Sequence, residues 1–161
     1  MGYEILKGKK ILAVDDEPDV LDIIREELAS SEVVIAGDFH AAERYIREND
    51  FDLVILDIMG VDGFTLLKAC GERRLPASML TAHAINAESL NTAMRLGAVS
   101  FLPKEELHRL PEFVAEIFEQ LEKGETHWNK LFKRLGPFFK DRLGVDWDDL
   151  EKPPPYPPGY Y

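Results

Sequence analysis

Two short apolar runs of the chain each end in aspartate, and this pattern constrains the fold more than any other feature of the sequence. Ile11–Val14 is followed by Asp15 and Asp16, and Leu53–Leu56 is followed by Asp57. Short continuous runs of Val, Ile and Leu are typical of strands that are buried on both faces of a parallel sheet. Because ligands bind at the carboxyl ends of the strands in such a sheet, the aspartates are predicted to form a site at that edge.

These carboxylates indicate a cation-binding site. Carboxylates held together at neutral pH repel one another strongly unless a cation lies between them. Oxygen ligands favour a hard divalent cation, and we expect Mg²⁺ bound by Asp15, Asp16 and Asp57.

Strand and helix patterns alternate as far as about Lys123. The predicted strands are Lys10–Val14, Val33–Ala36, Leu53–Leu56, Ala77–Thr81 and Val99–Leu102. The predicted helices, which carry apolar residues at helical spacing, are Asp19–Ala29, Ala41–Arg47, Phe64–Glu72, Ala87–Arg95 and Leu110–Glu122, with Gly97 as C-cap of the fourth. This alternation predicts an α/β fold, a doubly wound five-stranded parallel sheet of the flavodoxin-like type, for which we expect the strand order 2-1-3-4-5.

The pattern changes after Gly124, and we predict two parts: a domain at residues 1–123 and a C-terminal extension at residues 124–161. The extension begins with an amphipathic, locally basic segment, Trp128–Leu143, that is predicted to be helical. It ends in a Pro- and Tyr-rich tail, Pro153–Tyr161, that favours polyproline II. We expect the amphipathic segment to pack back onto the domain. Docking to a partner or a second subunit is the alternative, and binding to a membrane surface is less favoured.

The overall charge excludes some classes of function. The chain has 19 Lys and Arg against 30 Asp and Glu, a net charge of -11; this argues against a chain-wide nucleic-acid footprint, and we expect no direct DNA binding.

Cys70 is the only cysteine, so no intramolecular disulfide or Cys-based zinc site can form. No apolar run approaches the ~20 residues that span a bilayer, and the N-terminus lacks the core of a signal peptide. We therefore expect a cytoplasmic protein without a membrane span.

Polar residues also follow the fourth and fifth predicted strands. Thr81 and the small Ala82 come at the end of the fourth strand, and Lys104 follows the fifth. A hydroxyl, an ammonium and carboxylates at one sheet edge suit phosphoryl transfer to an aspartate, because the Asp can attack phosphorus while the cation, Thr and Lys stabilise the phosphoryl oxygens. The product would be an acyl phosphate, which is labile enough to act as a timed signal.

This set of residues resembles the receiver domain of two-component response regulators, over about residues 9–123. The resemblance implies that Asp57 is the phosphoacceptor. It also implies that Asp16 binds Mg²⁺ directly, that Asp15 binds it partly through water, and that Met59 contributes its backbone carbonyl.

The resemblance further implies a switch around the phosphoryl group. Thr81, beside Ala82, would bond this group and shift inward when it arrives. Lys104 would pair with the phosphoryl group, or with Asp57 in its absence. Phe101 lies where the family has an aromatic residue whose rotamer follows that shift, although a core position is the simpler explanation for Phe101 taken alone.

The function that the resemblance implies is signalling, and we do not expect an enzyme. A sensor histidine kinase or a phosphotransfer protein would donate the phosphoryl group. A downstream protein target, or a second copy in a homodimer, would recognise the phosphorylated state. Phosphorylation would reshape the face formed by the fourth helix, the fifth strand and the fifth helix.

The sequence departs from the family pattern in three places. The loop between Asp57 and Gly63, with an early turn at Gly60, is two residues shorter than usual. Pro103 precedes Lys104 instead of following it, so no cis X-Pro bond can follow the lysine. The roughly 38 residues after the predicted domain are too few for an independent output domain with its own core.

Two other functions stay open as alternatives. A phosphohydrolase of the haloacid dehalogenase type also uses an Asp nucleophile with Mg²⁺, but it needs an Asp-x-Asp motif on its first strand, where this chain has Asp15-Asp16-Glu17-Pro18. A phosphorylation-independent pseudo-receiver would keep the fold and act only as an interaction module. Asp15 and Asp16 taken alone could be helix caps, and His83 could either lean over the site or be an ordinary loop residue.

Overall fold

The computed structural model describes residues 3–82 and 86–125 of the chain. The predictions for the C-terminal extension beyond residue 125, including its amphipathic segment and its tail, lie outside these residues. The prediction for His83 lies outside them as well.

The described residues form a five-stranded parallel sheet. Its strands are β1 (Lys10–Val14), β2 (Glu32–Ala36), β3 (Leu53–Asp57), β4 (Ala77–Thr81) and β5 (Ser100–Pro103). The strand order is β2-β1-β3-β4-β5, which confirms the predicted fold class and order. Strands β3, β4 and β5 are buried along their whole length, as expected for apolar strands with helices on both faces. The chain reverses its direction across the sheet between β1 and β3, and such a switch point opens a crevice for ligands.

Helices follow each of the five strands. They are α1 (Pro18–Glu27), α2 (Phe39–Glu48), α3 (Gly63–Glu72), α4 (Ala87–Arg95) and α5 (Leu110–Glu122), with short 3-10 helices at Glu4–Leu6 and Lys104–Arg109. Right-handed crossovers in this strand order place α1 and α5 on one face of the sheet and the other helices on the opposite face. In agreement, α1 packs against α5, and α2 packs against α3. Within residues 3–82 and 86–125, no helix has the length and apolar character needed to cross a membrane.

Capping and special backbone conformations set several helix boundaries. Helix α2 begins at Phe39, two residues before the predicted start, because the Asp38 carboxylate accepts a hydrogen bond from the Ala41 backbone N–H (2.9 Å) and satisfies a free donor of the first turn. Helix α1 begins with Pro18, whose fixed φ and missing N–H suit a first turn. Gly97 follows α4 with a φ of 92°, which favours glycine and confirms its predicted role in ending the helix.

The fifth strand ends where Lys104 begins. Thr81 pairs with Pro103 in the parallel register between β4 and β5, so β5 is shifted by one residue relative to the predicted Val99–Leu102. Lys104 is therefore the first residue beyond the sheet, and it opens a 3-10 helix, Lys104–Arg109, that the apolar pattern did not predict. The described residues contain no cis peptide bond, in line with the absence of a proline after the lysine.

The packing of α3 predicts an unreactive cysteine. Cys70 is fully buried, and burial raises the pKa of its thiol to about 12. Because the thiolate is the reactive form, we expect Cys70 in the folded protein not to react with a thiol reagent such as DTNB, and to react only on unfolding. The matched control is the variant Cys70→Ala/Glu72→Cys, which moves the thiol to an exposed position of the same helix and should react at once. Rapid labelling of native Cys70 would contradict the buried packing.

Candidate functional site

The carboxyl edge of the sheet gathers residues that are distant along the chain. Val14 lies beside Leu56, and Thr81 lies beside Pro103, so the ends of β1, β3, β4 and β5 meet at this edge. They border a cavity of about 300 Å³. The cavity is lined by Asp16, Glu17, Asp57, Ile58, Met59, Gly60, Thr81, Ala82, Ser89 and Lys104.

The ammonium group of Lys104 lies among the carboxylates of this site. Its Nζ atom is 2.9 Å from Oδ2 of Asp15, 3.1 Å from Oε1 of Glu17 and 3.4 Å from Oδ1 of Asp57. The side chains of Lys104, Asp15 and Asp57 are only 13%, 0% and 6% exposed, so water and salt screen the pairs with the two aspartates less than pairs on the surface. The Glu17 side chain is 61% exposed, and its pair is screened more. Lys104 contacts Asp57 as the resemblance implies, but Asp15 and Glu17 are its closer partners.

The surrounding charges fix the protonation state of Lys104. Burial alone would lower the pKa of this lysine, but the carboxylates of Asp15, Glu17 and Asp57 outweigh burial and raise the pKa above its ordinary value. The ammonium therefore keeps its positive charge throughout the physiological range. A permanent positive charge at this position can neutralise a carboxylate or an incoming phosphoryl group.

Asp15 is fully buried and does not itself line the cavity. Its Oδ1 atom accepts a hydrogen bond from the backbone N–H of Glu17 (2.8 Å). Burial raises the pKa of Asp15 above its ordinary value, and the negative charge of Asp57 adds to this effect, while Lys104 and the Glu17 N–H partly offset it. The fold thus holds Asp15 in an environment that disfavours its ionised form, as is frequent at functional sites.

Asp57 ends β3 at the wall of the cavity and is almost completely buried. Its Oδ1 atom faces the Lys104 ammonium, and its Oδ2 atom accepts a hydrogen bond from the backbone N–H of Gly60 (3.0 Å). Gly60 belongs to the short loop between β3 and α3. The two contacts orient the Asp57 carboxylate at the edge of an open space, which is the position that a carboxylate nucleophile requires.

The donor atoms at this edge fit a hard divalent cation. Asp15, Asp16 and Glu17, here called the acidic cluster, each offer one carboxylate oxygen, and these oxygens lie within 4.8 Å of one another. Asp16 and Glu17 line the same cavity as Asp57. Among the described residues that line this cavity, Lys104 alone carries a fixed positive charge against the carboxylates of Asp16, Glu17 and Asp57, so carboxylates outnumber cations in this part of the site. An excess of negative oxygen ligands suits Mg²⁺, and the residues present fit the predicted ion.

The remaining residues of the predicted site lie at different depths. The hydroxyl of Thr81 donates a hydrogen bond to the backbone carbonyl of Ala82 (3.0 Å), and both residues line the cavity. Met59 also lines it and has an exposed side chain. Phe101, by contrast, is fully buried in β5 beside Met79 of β4 and does not line the cavity. The functional roles assigned to these residues stay predictions.

Sequence reasoning missed four of the described residues that line the cavity: Glu17, Ile58, Gly60 and Ser89. Glu17 could have been found, because it belongs to the same acidic run that follows β1. The donor of Gly60 is a backbone N–H, which no side-chain pattern reveals. Ser89 lies in the first turn of α4, where the Asn86 side chain accepts its backbone N–H (2.9 Å), and its approach to the site depends on how α4 sits against the sheet.

A parallel 2-1-3-4-5 sheet with an acidic cluster, an aspartate and a lysine at its carboxyl edge is the arrangement of a receiver-type signalling domain. The family model of the response regulator receiver domain matches residues 11–115, and the chain belongs to this family. The response regulator GtcR of Aneurinibacillus migulanus is 35% identical over 102 residues, which cover 60% of this chain and 42% of that protein. The two-component response regulator ORR24 of Oryza sativa is 32% identical over 152 residues, which cover 90% of this chain and 22% of that protein.

Solved structures are similar as well. The receiver domain protein (CheY-like) of Methanospirillum hungatei has a TM-score of 0.66 and 27% identity, and the match covers 73% of this chain and 98% of that one. NtrX of Brucella abortus, solved in complex with ADP, has a TM-score of 0.59 and 30% identity, over 80% of this chain and 30% of that one. The chain spans less than half the length of the curated relatives GtcR and ORR24.

Membership of the family carries general properties. Receiver domains are signalling modules of two-component systems, and they interact with histidine kinases or phosphotransfer proteins. Phosphorylation on an aspartate and binding of Mg²⁺ at an acidic Asp cluster are general to the family.

The buried charge of Asp15 predicts a variant that gains stability. Because the folded-state pKa of Asp15 is raised, its contribution to stability is present at acidic pH and is lost as the pH rises through that pKa. We therefore expect Asp15→Asn to raise the free energy of unfolding at neutral pH by about 0.5–2 kcal/mol, and to raise it less at mildly acidic pH. Chemical denaturation in EDTA at both pH values measures this difference. The control is Asp19→Asn at an exposed position, and an Asp15→Asn variant that is less stable at neutral pH would contradict the expectation.

Proposed function

We propose that Asp57 accepts a phosphoryl group in the presence of Mg²⁺ and that the phosphorylated domain changes its protein–protein contacts. The observation that carries this proposal is the position of the Asp57 carboxylate, between the Gly60 N–H and the Lys104 ammonium, at the wall of a cavity of about 300 Å³. A cavity of this size has room for a phosphoryl group beside the carboxylate.

The proposed reaction needs little covalent chemistry from the protein. One carboxylate oxygen of Asp57 attacks phosphorus, the bond from phosphorus to the donor breaks, and its electron pair leaves with the donor, so that an acyl phosphate forms. Lys104 and Thr81 both line the space that the phosphoryl oxygens would enter, and the Lys104 ammonium and the Thr81 hydroxyl would stabilise the charge there. Held by Asp15, Asp16, Asp57 and the backbone carbonyl of Met59, Mg²⁺ would supply further neutralisation of that charge.

The proposed switch starts at Thr81. In the structure its hydroxyl donates to the backbone carbonyl of Ala82, which is a neutral acceptor. A phosphoryl oxygen is a charged acceptor and gives the stronger hydrogen bond, so phosphorylation favours the conformation in which Thr81 moves toward Asp57. Phe101, buried in the neighbouring strand, is placed to follow that movement. Phosphorylation of Asp57 would then shift the population of the domain from the resting conformation to the one in which Thr81 has moved.

The proposed partners follow from this chemistry. A sensor histidine kinase or a phosphotransfer protein would supply the phosphoryl group. A downstream protein, or a second copy of the chain, would bind the face formed by α4, β5 and α5. We propose a signalling role without turnover of a substrate and without direct contact to DNA, and the predicted cytoplasmic location stays part of this proposal.

The first test is phosphoryl uptake by the full chain. Incubation with acetyl phosphate and Mg²⁺ should add the mass of one phosphoryl group, as measured by intact mass spectrometry. Asp57→Asn should add none, because the nucleophile is removed, and EDTA should suppress the gain in the wild type. The matched control is Asp62→Asn, an exposed carboxylate of the same loop whose left-handed φ of 54° Asn tolerates.

Three outcomes would contradict the proposal. A mass gain that persists in Asp57→Asn would place the phosphoryl group elsewhere. A wild type that gains no mass with any donor would favour the phosphorylation-independent interaction module. Sustained hydrolysis of a generic phosphate ester would favour the phosphohydrolase.

We also propose that the receiver domain ends near Lys123 and that residues 124–161 form a separate extension. Helix α5 closes at this boundary: Gly124 has a φ of 73°, and the Glu125 N–H donates a hydrogen bond to the Gln120 carbonyl (2.8 Å). This pattern is typical of a helix terminus.

A truncated chain tests this boundary. We expect a chain that ends at Glu125 to unfold cooperatively and to take up one phosphoryl group at a rate close to that of the full chain, because the five strands of the described sheet and the residues of the proposed site all precede this point. Circular dichroism during denaturation and intact mass spectrometry measure the two properties. A truncated chain that does not fold would show that the extension is part of the domain.

A further inference from the structure

The loop between β3 and α3 brings Gly60 against two carboxylates of the site. Its backbone N–H donates a hydrogen bond to Oδ2 of Asp57 (3.0 Å). Its open side faces Asp16: a Cβ atom added at Gly60 would lie 2.2 Å from Oδ1, 2.4 Å from Cγ and 2.6 Å from Oδ2 of that residue. The Asp16 carboxylate therefore occupies the space that any side chain at position 60 would need.

We propose that Gly60 is a positioning residue for the divalent cation, and that it acts by leaving the Asp16 carboxylate room to stand beside Asp57. The proposal rests on the proposed function of the site. Gly60, Asp16 and Asp57 line the same cavity, and Gly60 is in contact with both acids. One residue thus sets the spacing of two carboxylates that come from different strands.

The contrast with Gly63 separates positioning from folding. A Cβ atom at Gly63 would lie 2.2 Å from the Asp57 carbonyl oxygen and 2.9 Å from Cα of Ile58, which are backbone atoms that cannot move aside. The obstacle at Gly60 is the end of an exposed side chain, which can rotate. Gly60 does not have a positive φ, so its backbone conformation also accepts alanine. An alanine at position 60 therefore displaces Asp16 and leaves the fold intact.

The test is the affinity for Mg²⁺ in the absence of a phosphoryl donor. We expect Gly60→Ala in the full chain to bind Mg²⁺ about 10-fold or more weakly than the wild type in calorimetric titration, as is common when the support of a metal ligand is lost. The matched control is Gly37→Ala, because a Cβ atom there meets only the Asp15 carbonyl oxygen at an ordinary 3.9 Å. Gly37→Ala should bind Mg²⁺ like the wild type. Denaturation in EDTA should give the same midpoint for Gly60→Ala and the wild type.

A double-variant cycle tests whether Gly60 acts through Asp16. Asp16→Asn alone should weaken Mg²⁺ binding, and adding Gly60→Ala to it should weaken binding little further, because the displaced ligand is already gone. With acetyl phosphate, the Mg²⁺ concentration for half-maximal phosphoryl uptake should rise in Gly60→Ala by the same factor as the dissociation constant.

Distinct results overturn the inference and the proposed function. If the wild type binds Mg²⁺ and accepts the phosphoryl group, but Gly60→Ala binds Mg²⁺ equally well, the inference alone is wrong. It is also wrong if the effects of Asp16→Asn and Gly60→Ala multiply fully, or if Gly60→Ala unfolds in EDTA. If the folded wild type binds no Mg²⁺, the proposed function fails, and the inference fails with it.

Discussion

The site depends on one ammonium group that several carboxylates share. Two like charges about 4 Å apart repel by about 4 kcal/mol in a medium with the effective dielectric constant of a protein, so the carboxylates of this edge need a positive charge between them. Lys104 supplies it, with contacts of 2.9 to 3.4 Å to Asp15, Glu17 and Asp57. These carboxylates outweigh the burial of the lysine, raise its pKa and keep it charged. The three carboxylates outnumber this one ammonium. The negative charge that stays uncompensated suits the binding of a divalent cation.

The parallel topology is the reason that these charges meet. All neighbouring strands run in the same direction, so each delivers its last residue to the same edge. Asp15 follows β1, Asp57 ends β3 and Lys104 follows β5, and no two of them are close in sequence. The burial of the central strands makes this edge a rigid frame, because a shift of register would disrupt the close packing of their apolar side chains against the helices on both faces. Function is then left to the loops that follow the strands, which can change without loss of the core.

The sequence predicts the fold and most of the site because both depend on patterns with a short period. Apolar runs of strand length, each ending in a polar residue, are sufficient to place Asp15, Asp57 and Lys104 at one edge. Contacts made by backbone atoms are not visible in this way, and the hydrogen bond from the Gly60 N–H to Asp57 is the main example. The predicted start of α2 is two residues late for a related reason: the cap at Asp38 lies outside the apolar periodicity. Lys104 lies closer to Glu17 than to Asp57. This difference depends on the three-dimensional geometry of the side chains, which spacing along the chain does not predict.

The unequal contacts of Lys104 explain how one lysine can serve both the resting and the proposed phosphorylated site. Its longest ion pair is with Asp57, at 3.4 Å, so the carboxylate proposed to react is the one that the ammonium holds least closely. The shorter contacts, to Asp15 and Glu17, are to members of the acidic cluster, where a divalent cation would provide the same neutralisation. A cation bound there makes the ammonium less necessary to the cluster, and the same Nζ atom needs only a small movement to meet a phosphoryl group on Asp57. If the proposed function is correct, cation binding and phosphoryl binding are linked through a single charge, because the cation would release Lys104 from the acidic cluster and the phosphoryl group would take up the contact so released.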